Sequence, residues 1–184
     1  GKTPTTISAA EFLKDRKYNV HIVSRGYGGN AMSPLSVNDK EHSANDVGDE
    51  ALMLSAFAPT WVATKRSEGI QSAIKEGADI ILLDDGFQDP SVYKDLSILT
   101  VNAKKAFGNN RCIPAGPLRE KLSSGLERAD VLISIGNETS QKTFKSIYKS
   151  YINIPLGIAN LEVLNTGLSL ENMKVLAFAG IAQP

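Results

Sequence analysis

Cysteine is nearly absent. Cys112 stands alone among 184 residues, so no internal disulfide can form, and no CxxC or Cys/His cluster offers a structural metal site. The expectation is a reduced thiol, as in intracellular proteins. Neither sign of charge is in excess: 20 Lys and Arg face 20 Asp and Glu. No long-range field therefore draws the chain to a nucleic-acid backbone or an anionic bilayer, and no nucleic-acid partner is expected. No apolar run approaches the roughly 20 residues that span a bilayer, and the start lacks the charged-then-apolar pattern of a signal peptide. Internal repeats and low-complexity tracts are missing too. The chain opens on Gly1 rather than Met, with no strand leading into Gly1-Lys2-Thr3, and it stops just after the apolar run Val175 to Ala179. Both ends read as cut, with a first strand and any N-terminal anchor expected outside the sequence.

What is present is enough apolar residue, 42% of the chain, for one substantial core. Short β-rich runs alternate with helical patterns, which predicts an α/β fold with a mostly parallel sheet flanked by helices; with Gly1-Lys2-Thr3 directly before the first helix, that fold is read as P-loop NTPase-like. Ile7, Ala10 and Leu13, with Phe12 beside them, predict a first helix over Thr3 to Arg16. Strands are expected at Asn19 to Ser24, Trp61 to Ala63, Asp79 to Asp85, Leu96 to Val101 and Val131 to Ile135, with weaker signals near Ile152 to Leu164 and Lys174 to Ala179. Further helices are expected from Gly48, burying Leu52, Met53 and Phe57, over Arg66 to Glu76, and around Gln141 to Tyr151. The Gly-, Ser- and Asn-rich stretch from Arg25 to about Val47 is too long for a mere connector. Residues 1–170 are read as one domain and residues 171–184 as the start of a link to another.

Gly1-Lys2-Thr3 has the form of the tail of a G-x-x-x-x-G-K-[ST] loop. There, backbone N–H groups cradle phosphate, the lysine neutralises β/γ oxygens and the hydroxyl ligates Mg²⁺. The helix that follows, with Pro4 and Thr5 in its first turn, points its dipole at the anion. Asp79-Ile80-Ile81-Leu82-Leu83-Asp84-Asp85 supplies the complement: an apolar strand, expected to be buried on both faces, that delivers carboxylates to the edge where Mg²⁺ would sit. A simple turn before Gly86 is the other reading of that acidic pair. Asp49 and Glu50 are either first-turn helix acids or a proton acceptor and a metal-side group. Arg25, directly after a strand in Ser24-Arg25-Gly26-Tyr27-Gly28-Gly29, reads as a phosphate handler or a solvated arginine. The loop Phe107 to Glu120 is expected to present Asn109 and Arg119 toward the same edge, where Arg119 could stabilise a transferring phosphoryl group or merely pair with Glu120. His21 and His42 read as structural or solvated, and Cys112 as an inert thiol.

Together the segments GKTPT, SRGYGG, VGDEALML, ILLDDGFQD, FGNNRCIPAGPLRE and AGIAQP, in that order, resemble tetraacyldisaccharide 4′-kinase, the lipid A 4′-kinase family. The resemblance covers essentially the whole sequence. It implies an ATP- and Mg²⁺-dependent phosphotransferase at the cytoplasmic face of the bacterial inner membrane. Its acceptor would be the 4′-hydroxyl of a lipid A disaccharide precursor, and no protein partner is inferred. It further implies that Lys2 and Thr3 contact nucleotide and magnesium, that Asp49 is the general base, and that Glu50 and Asp85 are metal-side acids, with Asp84 beside them. Arg25, Gln88, Asn109 and Arg119 would be further site members. The family usually has His after DDGFQ where this chain has Asp89, a departure expected to alter a loop contact or the local charge. A second domain, carrying a His that assists the catalytic Asp, is implied beyond Pro184. The rival readings are another P-loop ATPase or ligase acting on a soluble substrate, and a non-catalytic fragment.

Overall fold

The structure is a computed structural model, and it describes residues 1–31, 34–162, 171 and 173–174. The expected strand near Lys174 to Ala179 and the link over residues 171–184 therefore lie largely outside the described residues. The elements in chain order are α1 (Lys2–Asp15), β1 (Val20–Ser24), β2 (Leu35–Ser36), α2 (Ala44–Val47), α3 (Asp49–Ser55), β3 (Thr60–Val62) and α4 (Arg66–Lys75). They continue as β4 (Ile80–Leu83), β5 (Ile98–Asn102), α5 (Leu122–Glu127), β6 (Val131–Ile135), α6 (Glu138–Tyr148) and β7 (Leu156–Ala159).

The strands form two sheets, a four-stranded one in the order β2-β3-β1-β4 and a three-stranded one in the order β5-β6-β7. Every pairing is parallel except β2 with β3. β1 is central and buried at all five positions, because it is paired on both sides and packed by α1 and α4. Ala10 of α1 packs with Val20, Ile22, Leu54 and Ala58, and Ile7 and Leu13 lie partly buried beside them. The spacing of three in the first helix thus finds its core. Phe12 is instead exposed, with the Arg16 guanidinium 3.4 Å above its ring.

Around β6, Val101, Phe107, Leu126, Leu132, Phe144 and Tyr148 form a second core. The buried face of α6 is Gln141, Phe144 and Tyr148, at helical spacing. Its start is capped by Asn137, whose side chain accepts from Ser140 N.

Three expectations are corrected. β4 is half-buried at all four positions rather than buried on both faces, because it pairs only with β1 among the described strands. The 25–47 segment is not a featureless loop: β2 adds an antiparallel edge strand, and α2 opens on a capping box between Ser43 and Asp46. In α3 the buried residues are Ala51 and Leu54, while Met53 is exposed, since the helix turns the 51/54 face to the sheet.

Candidate functional site

The start of α1 lies where the C-terminal ends of the two sheets meet. A Cβ on Gly1 would sit 3.3 Å from the Ile135 side chain, at the end of β6, and Lys2 reaches the turn that follows β4. Ligands of open α/β sheets bind at that edge. A cleft of about 490 Å³, within the usual size for a small-molecule site, opens just beyond Ile135. Gly136, Asn137, Gln141, Lys145, Ile158 and Asn160 are among its lining residues.

Lys2 Nζ is 2.8 Å from Asp85 Oδ1, and Arg119 Nη1 is 3.6 Å from Asp85 Oδ2. Two separate segments thus converge on the carboxylate of a third. Desolvation works to raise the Asp85 carboxyl, but the hydrogen bond and charge of Lys2, with Arg119 and Arg66 behind it, hold it below the ordinary carboxylate value. Asp84 faces elsewhere. It is buried and accepts from Thr6 Oγ1 at 3.1 Å. Burial pushes its carboxyl up, against the Thr6 hydrogen bond and the Lys2 charge, so a nearby cation would relieve it. Thr3 Oγ1 donates to Glu50 Oε1 at 3.4 Å, which brings the start of α3 to the start of α1. Asp49, the first residue of α3, is exposed, and its Oδ1 accepts from Glu50 N at 2.9 Å.

Gly26 of the SRGYGG segment and Gly48 build this corner. Gly26 has φ +66, and a Cβ there would lie 2.2 Å from the Val62 side chain. Gly48 has φ +85, and a Cβ there would lie 2.6 Å from Tyr27 O. Only glycine lets this segment pack against the residue that precedes Asp49.

Other candidates have different employment. Thr5 Oγ1 bonds back to Gly1 O at 2.8 Å, and Pro4 is exposed in the first helical turn, where no N–H is needed. Asn109 does not face the edge: Nδ2 donates to Ala115 O and Oδ1 accepts from Arg111 N, so both ends of its amide shape its own loop. Gln88 Nε2 donates to Glu120, which also pairs with Arg128, and this ties the DDGFQ loop to the PLRE loop. Arg119 is thereby turned to Asp85 and not to its neighbour Glu120. His21 is buried and accepts from Trp61 Nε1, consistent with a structural role, while His42 Nδ1 accepts from Asn38 N within its loop.

Two residues missed by the sequence reading are Thr6 and Arg66. Both sit in a first or second helical turn at the ligand edge, which was the available signal. Asp89, which stands after DDGFQ, is a buried node of loop contacts. Its Oδ2 accepts from Arg25 Nη2 at 3.1 Å and Arg66 Nη1 at 3.0 Å, and its Oδ1 accepts from Ser91 N and Oγ. The Ser91 bonds, with Arg66 and Arg25 adding to them against the cost of burial, hold the carboxyl well below the ordinary range. Its stabilising effect is therefore present above the unfolded value of about 3.9 and lost only as pH falls through the lower native value. Asp89→Asn should be less stable than the parent in urea at neutral pH, with the gap narrowing only below about pH 4.

These residues suit a magnesium-nucleotide. The available donors are all oxygen, and among the described residues no three His, Cys, Asp or Glu side chains form a ready-made cage. Mg²⁺ fits such a place, since it usually takes one or two carboxylates and completes its shell with phosphate and water.

Comparison with known proteins identifies the family and the fold. The family profile described as tetraacyldisaccharide-1-P 4′-kinase matches residues 1–184. The chain belongs to that family. It is 50% identical over all of its length to the tetraacyldisaccharide 4′-kinase of Jannaschia sp., covering 56% of that protein. It is 47% identical to the one of Dinoroseobacter shibae, covering 55% of it. The chain thus spans about half the length of these kinase relatives. A crystal structure of the "apo" form of LpxK from Aquifex aeolicus in complex with ATP superposes with TM-score 0.64 at 22% identity, over 88% of this chain and 66% of that one. That likeness supports the α/β fold with parallel strands flanked by helices.

Proposed function

We propose that this chain is the nucleotide-handling part of an ATP-dependent kinase that phosphorylates the 4′-hydroxyl of a tetraacyldisaccharide 1-phosphate, a lipid A precursor. The observation that carries the reading is the convergence of Lys2 and Arg119 on Asp85 at the start of α1. Names of relatives supply the substrate, and the site supplies the chemistry. Lys2 neutralises the transferring phosphoryl group, helped by the N–H groups at the start of α1. Asp49 takes the proton of the acceptor hydroxyl as it attacks the γ-phosphorus, and ADP leaves. Arg119 and Arg25 stabilise the charge that develops. Thr3 and one or two of Glu50, Asp84 and Asp85 would hold magnesium, which when bound neutralises the phosphate oxygens. Gln88 and Asn109 serve by shaping the loops that carry these groups. The acceptor's acyl chains place the reaction at a membrane surface, read as the cytoplasmic face of the inner membrane.

Incubating the full-length protein with labelled ATP and tetraacyldisaccharide 1-phosphate in mixed micelles should label the lipid at its 4′ position. Hydrolysis of ATP without lipid labelling, or label passed to a soluble acid instead, would refute the assignment.

A further inference from the structure

The turn that carries Asp84 and Asp85 is held by a side chain whose hydrogen bonds, among the described residues, go to neither the start of α1 nor Arg119. Arg66, the first residue of α4, is only 3% exposed. Its Nη2 donates to two successive carbonyls, Asp84 O at 2.8 Å and Asp85 O at 2.9 Å. Its Nη1 donates to Asp89 Oδ2 at 3.0 Å. The other donor on that oxygen is Arg25 Nη2.

The backbone that is gripped needs support. Asp85 has φ +50, a left-handed conformation seldom taken by a residue with a side chain. At Gly86 a Cβ would lie 2.5 Å from Leu83 Cβ, so the chain doubles back tightly there. Such conformations persist when their surroundings over-determine them. Arg66 is the surrounding group that bonds both carbonyls, and one planar fork reaches three oxygens from two residues of the turn and one of the loop beyond it.

We propose that the buried Arg66–Asp89 pair is a positioning clamp for phosphoryl transfer. Through the turn it sets the direction of the Asp84 and Asp85 carboxylates, and through Asp89 it sets the place of Arg25. Neither member touches substrate in this role. Lysine at position 66 would keep the charge but offer one nitrogen where two are used, so it does not substitute. The clamp rests on the reading of Asp84 and Asp85 as metal-side acids.

The test uses the full-length protein and Mn²⁺ in place of Mg²⁺, followed by electron paramagnetic resonance with a non-hydrolysable ATP analogue. Arg66→Lys should bind Mn²⁺ about 10–100-fold more weakly and need correspondingly more Mg²⁺ for half-maximal turnover, the usual cost of losing an outer-shell partner. Its KM for the lipid acceptor should stay unchanged, a split that general loosening of the fold would not produce. A folded Arg66→Lys protein with parental Mn²⁺ affinity and Mg²⁺ dependence overturns the clamp. If Arg66→Lys does not fold, Asp89→Asn is measured in the same way. It should show the same shift in Mn²⁺ affinity and Mg²⁺ requirement, and parental values in it overturn the clamp. Parental protein that binds no Mn²⁺ with the analogue overturns the metal-side reading itself, whereas parental binding that neither variant changes overturns the clamp alone.

Discussion

Replacing Lys2 by alanine in the full-length protein is expected to lower kcat/KM for ATP by about 10²–10³-fold while the protein stays folded. The two halves of that expectation follow from different magnitudes. In the structure Lys2 pairs with Asp85 at 2.8 Å, with half of its side chain exposed. Partly exposed pairs of this kind contribute about 0.2–1 kcal/mol to stability. Loss of one preorganised positive donor to a transferring group costs about 2.7–4 kcal/mol in the transition state. Catalysis should therefore fall far more than stability. Lys2→Arg should recover only part of the loss, because a planar fork does not occupy the position of a compact ammonium. Steady-state kinetics beside a thermal melt checks both halves. Undiminished turnover in a folded Lys2→Ala protein would remove Lys2 from the site.

Asp85 also shows why the site was only partly legible in the sequence. Short apolar runs located β1, β4 and β6, and helical patterns between them located α1, α4 and α6. The six residues of α5, LSSGLE, have no such period, and Leu126 is drawn into the second core by tertiary packing. Burial was less legible than the elements themselves. The run IILL promised a strand covered on both faces, yet coverage depends on how many neighbours a strand has, which four residues do not encode. At the site, residue types with a known chemical use stood out: Lys2, Thr3, Asp49, Asp84, Asp85 and Arg119. Their partners did not. Thr6 meets Asp84 across 78 residues of chain, and Arg66 meets the Asp84–Asp85 turn through backbone carbonyls that no residue pattern marks. Asn109 and Gln88, read as substrate or loop residues, hydrogen-bond within and between loops.

Asp49→Ala should reduce kcat by about 10²–10⁴-fold, the range for loss of a general base. Its position allows that role. The residue begins α3 beside Glu50, whose carboxylate meets Thr3 at the start of α1. Among the described residues no lysine or arginine forms an ion pair with Asp49, so its second oxygen is not committed to a cation. Its Oδ1 accepts only the neighbouring Glu50 N–H. The competing role, a first-turn acid that favours the helix dipole, is worth about 0.3–1 kcal/mol and would touch stability rather than turnover. Steady-state kinetics beside a urea melt separates the two: a lost base lowers kcat with stability kept, whereas a lost helix acid lowers stability with kcat kept. ATP affinity should hold, because Lys2 and the N–H groups at the start of α1 are untouched. A variant with full turnover and lowered stability would make Asp49 a helix acid and leave the acceptor's proton to another group.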